Sequence, residues 1–366
     1  MSVVLDRPAP GEAAPNPEGP ADSQRRRAGT GLLASGWTKG AGLVLAAGLL
    51  VFVCFASVAY GAKPIALATV WDAFWGYDPG SNDHLIVRSL RVPRTGIGLA
   101  VGAALGLSGA VMQGVTRNPL ADPGILGIEA GAALAVVVGI YSFGVGSLTG
   151  YVWFAFAGAA MASLVVYSLG SLGRGGATPV KLALAGAALA SLLSSFTSAI
   201  LLFDLQTLDQ FRFWVVGSLV GRDADIAMQV LPFLGVGAVL AVGSARSLNA
   251  LALGDDLARS LGQRVPLARA VCALSVVILC GAAVAAAGPI GFVGLTIPHV
   301  ARAICGPDYR WVLPWSMVLA PMLLLGADIA GRVLSRPGEL QVGIVTAVIG
   351  APFFIALVRR RKLAEL

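Results

Sequence analysis

The chain has little charge and few of the side chains that carry catalysis. Only 12% of its 366 residues are Asp, Glu, Lys or Arg, and it contains two histidines and four lysines. No lysine stands in the GK[ST] context of a phosphate-binding loop, so any ATP that powers this protein must bind to another subunit. His84 and His299 are far apart in the sequence, which argues against a histidine-based metal site. No enzymatic activity, resident cofactor, metal or nucleic-acid partner is expected.

The cysteines are equally uninformative for chemistry. Cys54, Cys272, Cys280 and Cys305 lie in or beside apolar segments, with no CxxC spacing among them. Cysteines in this setting behave as small buried side chains, so we expect them to be inert.

Apolar residues dominate what is present. The chain is 57% hydrophobic with a mean hydropathy of +0.81, which predicts an all-α polytopic membrane protein. Its 47 glycines indicate helices that approach one another closely. The apolar runs predict ten transmembrane helices, at 42–61, 93–114, 124–146, 150–171, 181–203, 227–246, 267–287, 290–305, 312–333 and 341–358. The eighth is too short for a full crossing unless it starts below the membrane surface.

The placement of positive charge predicts the orientation. Residues 1–40 lack large apolar side chains and are expected to form a disordered cytoplasmic tail, followed by a transmembrane domain over 41–366. With the N-terminus inside, alternation puts most of the 26 Lys and Arg in the cytoplasm. We therefore expect a multi-pass protein of the cell membrane with both termini cytoplasmic.

Two segments between the spans have unusual composition. Residues 204–226 mix aromatic and charged side chains and predict an interfacial helix on the outer side. Residues 248–264 lie inside and carry Leu and Ala at helical spacing, divided by two glycines into two short helices. A cytoplasmic connector has no need of an apolar stripe unless a partner covers it.

Arginines at the outer surface conflict with the orientation rule. Arg91 and Arg94 flank Pro93 at the start of the second span, and Arg332 and Arg336 lie at the outer end of the ninth. A cation at a helix N-terminus also opposes the helix dipole. Two interpretations stay open: snorkelling to lipid headgroups, with Arg332 pairing to Asp328 four residues earlier, or contact with a partner.

A polar elbow, TRNPLADPG at residues 116–124, separates the second and third spans. Pro119 and Pro123 forbid a continuous helix there, and Asn118 and Asp122 can cap the broken ends. The elbow is either a plain tight turn or part of a pathway or gate, because non-helical backbone at membrane depth is tolerated where it lines a cavity or is buried in protein.

Several longer motifs together resemble a known family. The motifs LRVPRTG, GAALGLSGAVMQGVTRNPLADPGILG, LALAGAAL, LALGDDLARSLG, GPIGFVGLTIPHVAR and ELQVGIVTAVIGAPFFIALVRR are similar to those of the FecCD type of ABC transporter permease. This group includes vitamin B12 and ferric siderophore importers. The resemblance covers roughly residues 42–362, in the family's order.

The resemblance implies partners on both sides of the membrane. Such permeases have ten membrane helices, pair with a second permease subunit, identical or homologous, and rest on two ATP-binding subunits. A periplasmic or lipid-anchored substrate-binding protein docks from outside. The implied docking residues are Arg91, Arg94 and Arg332, with Arg336 beside them. The implied ATPase-coupling residues are Leu251, Leu253, Gly254, Asp255, Ala258, Leu261 and Gly262.

The resemblance also implies a gate and a cargo. The gate loop would contain Asn118, Pro119 and Leu120, and a second gate region precedes the fifth span. Pro179 and Val180 stand there, where the vitamin B12 permease has small hydroxylated residues, which argues mildly against cobalamin. Ferric siderophore is the first choice of cargo, ahead of haem and cobalamin. The weakly polar residues expected along the pathway are Ser194, Ser195 and Thr197.

Two other classes of function remain as alternatives. An ion-coupled secondary carrier would work without an ATPase and would depend on Asp328, the one carboxylate placed well inside a predicted span. A purely structural membrane protein would tolerate gate substitutions such as Asn118→Trp. The ion-coupled carrier does not account for the apolar cytoplasmic stripe.

Overall fold

The computed structural model describes residues 31–172 and 178–362, and within these ranges it contains helices and loops but no β-strand. A π-helical segment, Ile86–Arg91, and a 3-10 turn, Pro123–Leu126, interrupt the series. The α-helices of the described residues, numbered in chain order, are α1 (Gly36–Ala59), α2 (Leu67–Trp75), α3 (Asn82–Leu85), α4 (Val92–Thr116), α5 (Ile128–Phe143), α6 (Leu148–Ser171), α7 (Pro179–Phe203), α8 (Leu205–Val215), α9 (Ala224–Gly243), α10 (Ala245–Ala252), α11 (Asp255–Ser260), α12 (Val265–Ala287), α13 (Val293–Cys305), α14 (Tyr309–Leu334) and α15 (Val342–Lys362).

The ten predicted spans all correspond to helices. Seven helical stretches are long and apolar enough to cross a membrane, and α5, α13 and the apolar part of α15 are shorter apolar helices. These ten match the predicted spans one for one, which confirms the all-α class.

The N-terminal boundary was predicted too late in the chain. Residues 1–30 of the predicted tail lie outside the described residues, but α1 begins at Gly36 rather than after residue 40. The reason is a local capping box, in which the Ser35 side chain accepts from the Thr38 backbone N–H and the Thr38 side chain accepts from that of Ser35.

The centre of the bundle is α4, which packs against α12, α13 and α14. A Cβ atom on Gly102 would lie 2.6 Å from the Cα of Pro321 in α14, and one on Gly109 would lie 1.9 Å from the carbonyl oxygen of Gly294 in α13. Backbones this close leave no room for side chains between them. The hydrophobic effect does not drive helices together within lipid, so close packing at small residues stabilises their association instead.

The short eighth span begins inside the bundle. This agrees with the expectation that a helix too short for a full crossing must start below the membrane surface. Residues 288–292 leave α12 without helical structure, and α13 then runs for only 13 residues. Its second residue, Gly294, packs on Gly109, which lies about 26 Å along α4 from Val92 at 1.5 Å per residue.

The predicted interfacial segment at 204–226 contains one complete helix, α8, and its last three residues begin α9. Phe211 and Trp214 are buried against the bundle with ring centroids 5.8 Å apart, whereas Phe213 is exposed. The segment after Val215 is a loop that returns to the bundle, where the Ser218 N–H donates to the carbonyl of Ala287.

The two ends of the bundle carry the residues of interest. The arginine end contains the C-terminus of α1, the start of α4 and the end of α14. The elbow end contains residues 116–124, the segment 248–264 and the starts of α1 and α14. Asn249 connects two of these elements, since its amide donates to Asp308 at 2.6 Å and accepts from the Tyr309 N–H at 2.9 Å.

Candidate functional site

Arg91 closes the C-terminus of α1. Its guanidinium donates to the carbonyls of Val58 at 3.0 Å, Ala59 at 2.6 Å and Lys63 at 2.5 Å. The last carbonyls of a helix have no intrahelical partner and carry partial negative charge, so a cation is favourable there. Arg91 is unfavourable for the dipole of α4, which it precedes, but its guanidinium lies at the C-terminus of α1, where a positive charge is favourable.

Arg94 and Arg332 meet at one buried carboxylate. Asp328 is fully buried and lies 2.7 Å from Arg94 Nη2 and 3.0 Å from Arg332 Nη2. Arg94 also bonds Glu339 at 2.7 Å, and Arg332 donates to the carbonyl and hydroxyl of Ser57. The predicted pairing of Arg332 with Asp328 is confirmed. Both arginines are buried by these internal partners rather than extended to lipid headgroups.

Three of the four arginines in the predicted docking set line one cavity of about 260 Å³. Arg91, Arg94 and Arg332 all line it, whereas Arg336 is exposed and donates to the Gly61 carbonyl at 2.8 Å. The proposed docking arginines therefore already have partners within the chain, and any contact with another protein must compete with them.

Three charged residues of this cavity, Lys63, Arg222 and Glu339, were not identified as site residues from the sequence. Glu339 precedes the tenth span, and Arg222 lies in the loop after α8. Burial lowers the pKa of Arg222 to about 10, opposed by the neighbouring carboxylate of Asp223, so the guanidinium is still charged at neutral pH. The sequence does show that Arg222 is a charged residue inside the predicted outer segment 204–226. Its burial, however, depends on how the loop folds, which the sequence does not reveal.

The elbow has the local structure that its prolines and polar residues predict. Asn118 Oδ1 accepts from the Leu120 N–H at 2.9 Å, and Asp122 Oδ1 accepts from the Gly124 N–H at 2.8 Å. Arg117 ends α4 in the left-handed region, with φ of 51°. Asn118 and Leu120 are exposed and Pro119 is half-buried, so the elbow presents a surface at this end of the bundle.

The elbow packs closely on α7, which begins in the second gate region. A Cβ on Gly186 would lie 1.8 Å from the carbonyl oxygen of Ile125, so the 3-10 turn and α7 are in backbone contact. Thr178 caps α7, Pro179 is its first residue and Val180 is exposed. Residue 177, the first of that predicted region, lies outside the described part of the chain.

The predicted pathway residues on α7 do not share one face. Ser194 and Ser195 are exposed, whereas Thr197 is buried and donates to the Leu193 carbonyl at 2.9 Å. Thr197 therefore faces the bundle, and the exposed surface of α7 is formed by the serines together with Leu192 and Phe196.

The segment 248–264 forms two short helices, α10 and α11, as predicted. Gly254 follows α10 and Gly262 follows α11, and the chain changes direction at both. Their φ angles of 106° and 82° favour glycine. Leu251 and Ala258 are buried in a small cluster with Val265, so they support the segment from inside. The exposed side carries Leu253, Leu257 and Leu261, four residues apart, which are 58%, 57% and 64% exposed. We call these three the leucine stripe; Leu257 was not singled out from the sequence.

A charged link joins this segment to the elbow. Asp255, the first residue of α11, accepts from Arg117 at 3.0 Å and from Arg269 of α12 at 2.9 Å. The end of α4, the start of α11 and the first turns of α12 are therefore connected through one carboxylate.

Comparisons with known proteins place this architecture. The model of the FecCD transport family matches residues 49–360. The iron(3+)-hydroxamate import system permease protein FhuB of Bacillus subtilis is 45% identical over 89% of this chain and 85% of its own length. The ferric enterobactin transport system permease protein FepD of Escherichia coli is 48% identical, over 86% and 93%. The hemin transport system permease protein HmuU of Yersinia pestis is 36% identical, over 86% and 94%.

A solved structure agrees with these matches. A metal-chelate type ABC transporter in an inward-facing conformation superposes with a TM-score of 0.76 at 29% identity, covering 88% of this chain and 99% of the other. The ten apolar helices and the match to a family of transport permeases together identify a multi-pass membrane transport permease rather than an enzyme. The chain belongs to the FecCD transport family.

Proposed function

We propose that this permease is the membrane-spanning subunit of an ATP-binding-cassette importer for iron chelates, with ferric siderophore as its cargo. The observation that carries the proposal is the leucine stripe beside the elbow. Three leucines that are more than half exposed form an apolar surface outside the membrane spans, and such a surface indicates a protein partner.

The partner at the elbow end is a pair of ATP-binding subunits. The sequence has no nucleotide-binding loop of its own, so the energy must come from elsewhere. The elbow end then faces the cytoplasm together with both termini, and the protein lies in the inner or plasma membrane. The contact is made by Leu253, Leu257 and Leu261, with Gly254, Asp255 and Gly262 setting the shape of the segment.

A second permease subunit, identical or homologous, covers the open face of α7. Exposed Leu192 and Phe196 are available to pack against it, and Ser194 and Ser195 provide weakly polar contacts along a pathway between the two subunits. Asn118, Pro119 and Leu120 of the elbow, with Pro179 and Val180 at the start of α7, form the cytoplasmic gate. The backbone contact between Gly186 and Ile125 supports movement of these two regions together.

A periplasmic or lipid-anchored substrate-binding protein docks at the arginine end. The cationic cavity favours acidic groups on that partner, and such an interface is expected to be sensitive to salt.

The proposal for the cargo rests on relatives. FhuB and FepD, which are named for hydroxamate and enterobactin iron complexes, are 45% and 48% identical, against 36% for the hemin permease, while a second hydroxamate permease, FhuG of Bacillus subtilis, is 37% identical. The ion-coupled carrier is not favoured, because Asp328, on which it would depend, is bound by two guanidinium groups.

Uptake in cells that lack this gene tests the proposal. Cells carrying the wild-type chain are given labelled ferric hydroxamate, ferric enterobactin, haem and cobalamin in parallel, with an empty vector as control. We expect uptake of a ferric siderophore that stops when cellular ATP is depleted. Uptake of haem or cobalamin alone would contradict the cargo, and uptake that survives ATP depletion would contradict the mechanism.

Asp255→Asn is expected to separate ATP hydrolysis from transport. The three charges lie at a partly exposed site where ion pairs contribute about 0–1 kcal/mol, so the protein should fold. Without the link, movement of α11 no longer reaches the elbow. The ATP hydrolysed per chelate imported should rise about fivefold or more, measured in proteoliposomes. Asp256→Asn is the matched control, because that carboxylate is fully exposed and its ion pair is with Arg259 of the same helix; equal ratios in both variants would contradict the link.

A further inference from the structure

A cavity of about 450 Å³ lies between α9 and α12 at the elbow end of the bundle, and we call it the α9–α12 cavity. It is lined by the last turns of α9, the first turns of α12, Ser247 of α10 and the turn at residues 262–264. That turn ends the segment 248–264, which carries the leucine stripe. A molecule bound in the cavity therefore lies against the end of that segment.

Three side chains that line the α9–α12 cavity have unused hydrogen-bond donors. They are the hydroxyl of Ser247, the side-chain amide of Gln263 and the guanidinium of Arg264, none of which bonds to a group in the described part of the chain. Ser244 differs from them, because its hydroxyl donates to the Leu240 carbonyl at 2.7 Å. Donors that meet at one cavity without an acceptor favour an acceptor from outside the chain.

The charge of the α9–α12 cavity is positive. Arg264 is the one charged side chain among the described residues that line it, and no described Asp or Glu pairs with it. Arg246 of α10 also has no carboxylate partner among the described residues, and it lines a neighbouring cavity that meets this one at Gly243. The acceptor that fits is therefore an anion. A guanidinium binds phosphate oxygens through two parallel donors.

The rest of the lining is apolar and lies within the membrane spans. Val239 is four residues before the end of α9 and Val271 six residues after the start of α12, which places them about 6 and 9 Å from the polar end at 1.5 Å per residue. Val239 and Leu267 are more than half exposed, and this apolar surface continues along the two helices to Val236 and Leu274. A ligand that fills both parts is anionic at one end and apolar beyond it.

An anionic phospholipid has this division of chemistry. The apolar part of the cavity is continuous with the exposed, lipid-facing surface of α9 and α12, so an acyl chain reaches it from the bilayer without crossing water. Basic pockets between membrane helices on the cytoplasmic side bind anionic head groups. A free phosphate would leave the apolar part unfilled, and a protein side chain would have to enter between two membrane helices.

We propose that the α9–α12 cavity binds an anionic phospholipid of the cytoplasmic leaflet, with its phosphate at Ser247, Gln263 and Arg264 and an acyl chain along the apolar part. The choice of leaflet rests on the proposed function, which places the elbow end in the cytoplasm. The bound lipid lies against Gly262 and so connects the end of the segment 248–264 to the membrane.

Lipid binding to the assembled complex tests the inference. The permease with its ATP-binding subunits is delipidated in detergent and titrated with phosphatidylglycerol, and native mass spectrometry counts the bound lipids. Phosphatidylcholine with the same acyl chains is the probe without net charge. We expect the tightest site on each permease chain to prefer phosphatidylglycerol about fivefold or more. Arg264→Gln should weaken phosphatidylglycerol binding about ten- to hundredfold, as expected for a lost hydrogen bond between charged groups, and Arg264→Lys should fall between.

A second arginine at the same end provides the control. Arg259 is exposed, pairs with Asp256 on α11 and does not line the cavity, so Arg259→Gln should change the affinity for phosphatidylglycerol less than twofold. Without lipid, Arg264→Gln should melt within about 2 °C of the wild type, because its side chain is exposed and has no described partner. A loss of lipid binding without a change in melting temperature then belongs to the site rather than to unfolding.

Four outcomes contradict different statements. Equal binding of phosphatidylglycerol to the wild type and to Arg264→Gln, or equal binding of the two lipids, overturns the inference. If glycerol phosphate raises the melting temperature of the wild type as much as phosphatidylglycerol does, the site takes a free anion and the inference is overturned. It is also overturned if Arg264→Gln weakens only the association with the ATP-binding subunits. If the permease does not assemble with those subunits, the proposed function fails, while the same titration on the permease alone still decides the inference.

Discussion

Asp328→Asn is expected to lower the melting temperature of the purified permease by roughly 4 to 7 °C. The carboxylate is fully buried and holds Arg94 and Arg332, which come from different helices. Breaking a buried ion pair from one side leaves uncompensated charge and costs about 3–5 kcal/mol. Glu339 and Ser57 remain as partial partners for the two arginines, which sets the lower bound. The change is measured by thermal unfolding in the same detergent for each variant.

The control for this prediction is Asp209, an aspartate whose ion pair is exposed to solvent rather than buried. Asp209→Asn removes an ion pair with Arg212 in which both side chains are more than half exposed, and such pairs contribute about 0–1 kcal/mol. A shift for Asp328→Asn no larger than that of Asp209→Asn would show that the buried network does not hold α4 to α14.

Leu257→Glu is expected to abolish stable association with the ATP-binding subunits. The residue is the middle of the leucine stripe and is 57% exposed in the single chain, so its replacement should leave the permease folded. In the complex with the ATP-binding subunits, the side chain at this position would be surrounded by apolar groups and shielded from water. Loss of a buried leucine costs about 1.5–3 kcal/mol, and burying a carboxylate adds more, so affinity should fall about a hundredfold or more. Copurification and a binding titration measure it.

A second charge substitution on the same helix provides the comparison. Arg259→Glu also adds a carboxylate to α11, but at about 200° around the helix from Leu257. It should weaken association much less. Equal losses in both variants would indicate a general charge effect, and no loss for Leu257→Glu would remove the stripe from the interface.

The sequence predicted those parts of the molecule that depend on local composition. Apolar runs gave the ten helices, since length and hydropathy are properties of each segment. Gly254 and Gly262 divided the segment 248–264, because a left-handed backbone at a helix end favours glycine. Asn118 and Asp122 cap the elbow through bonds to residues only two positions away.

The parts that were not predicted depend on contacts between distant residues. Arg94 and Asp328 are 234 positions apart, and two of the three carbonyls bound by Arg91 belong to a helix that ends 32 residues earlier. No periodicity encodes such pairs, so the arginines were expected at the surface and are buried. Arg222 lies in a loop whose path is set by packing on α12, and Leu257 was missed although it shares the spacing of its two neighbours.

Transport in a defined system tests the central claim most directly. The permease, its ATP-binding subunits and the substrate-binding protein are combined in proteoliposomes, with labelled ferric siderophore on the binding-protein side and ATP on the other. The account predicts accumulation that requires both hydrolysable ATP and the binding protein and that is unaffected by collapsing ion gradients. Accumulation driven by a proton or sodium gradient, with the permease alone in the membrane, would contradict it.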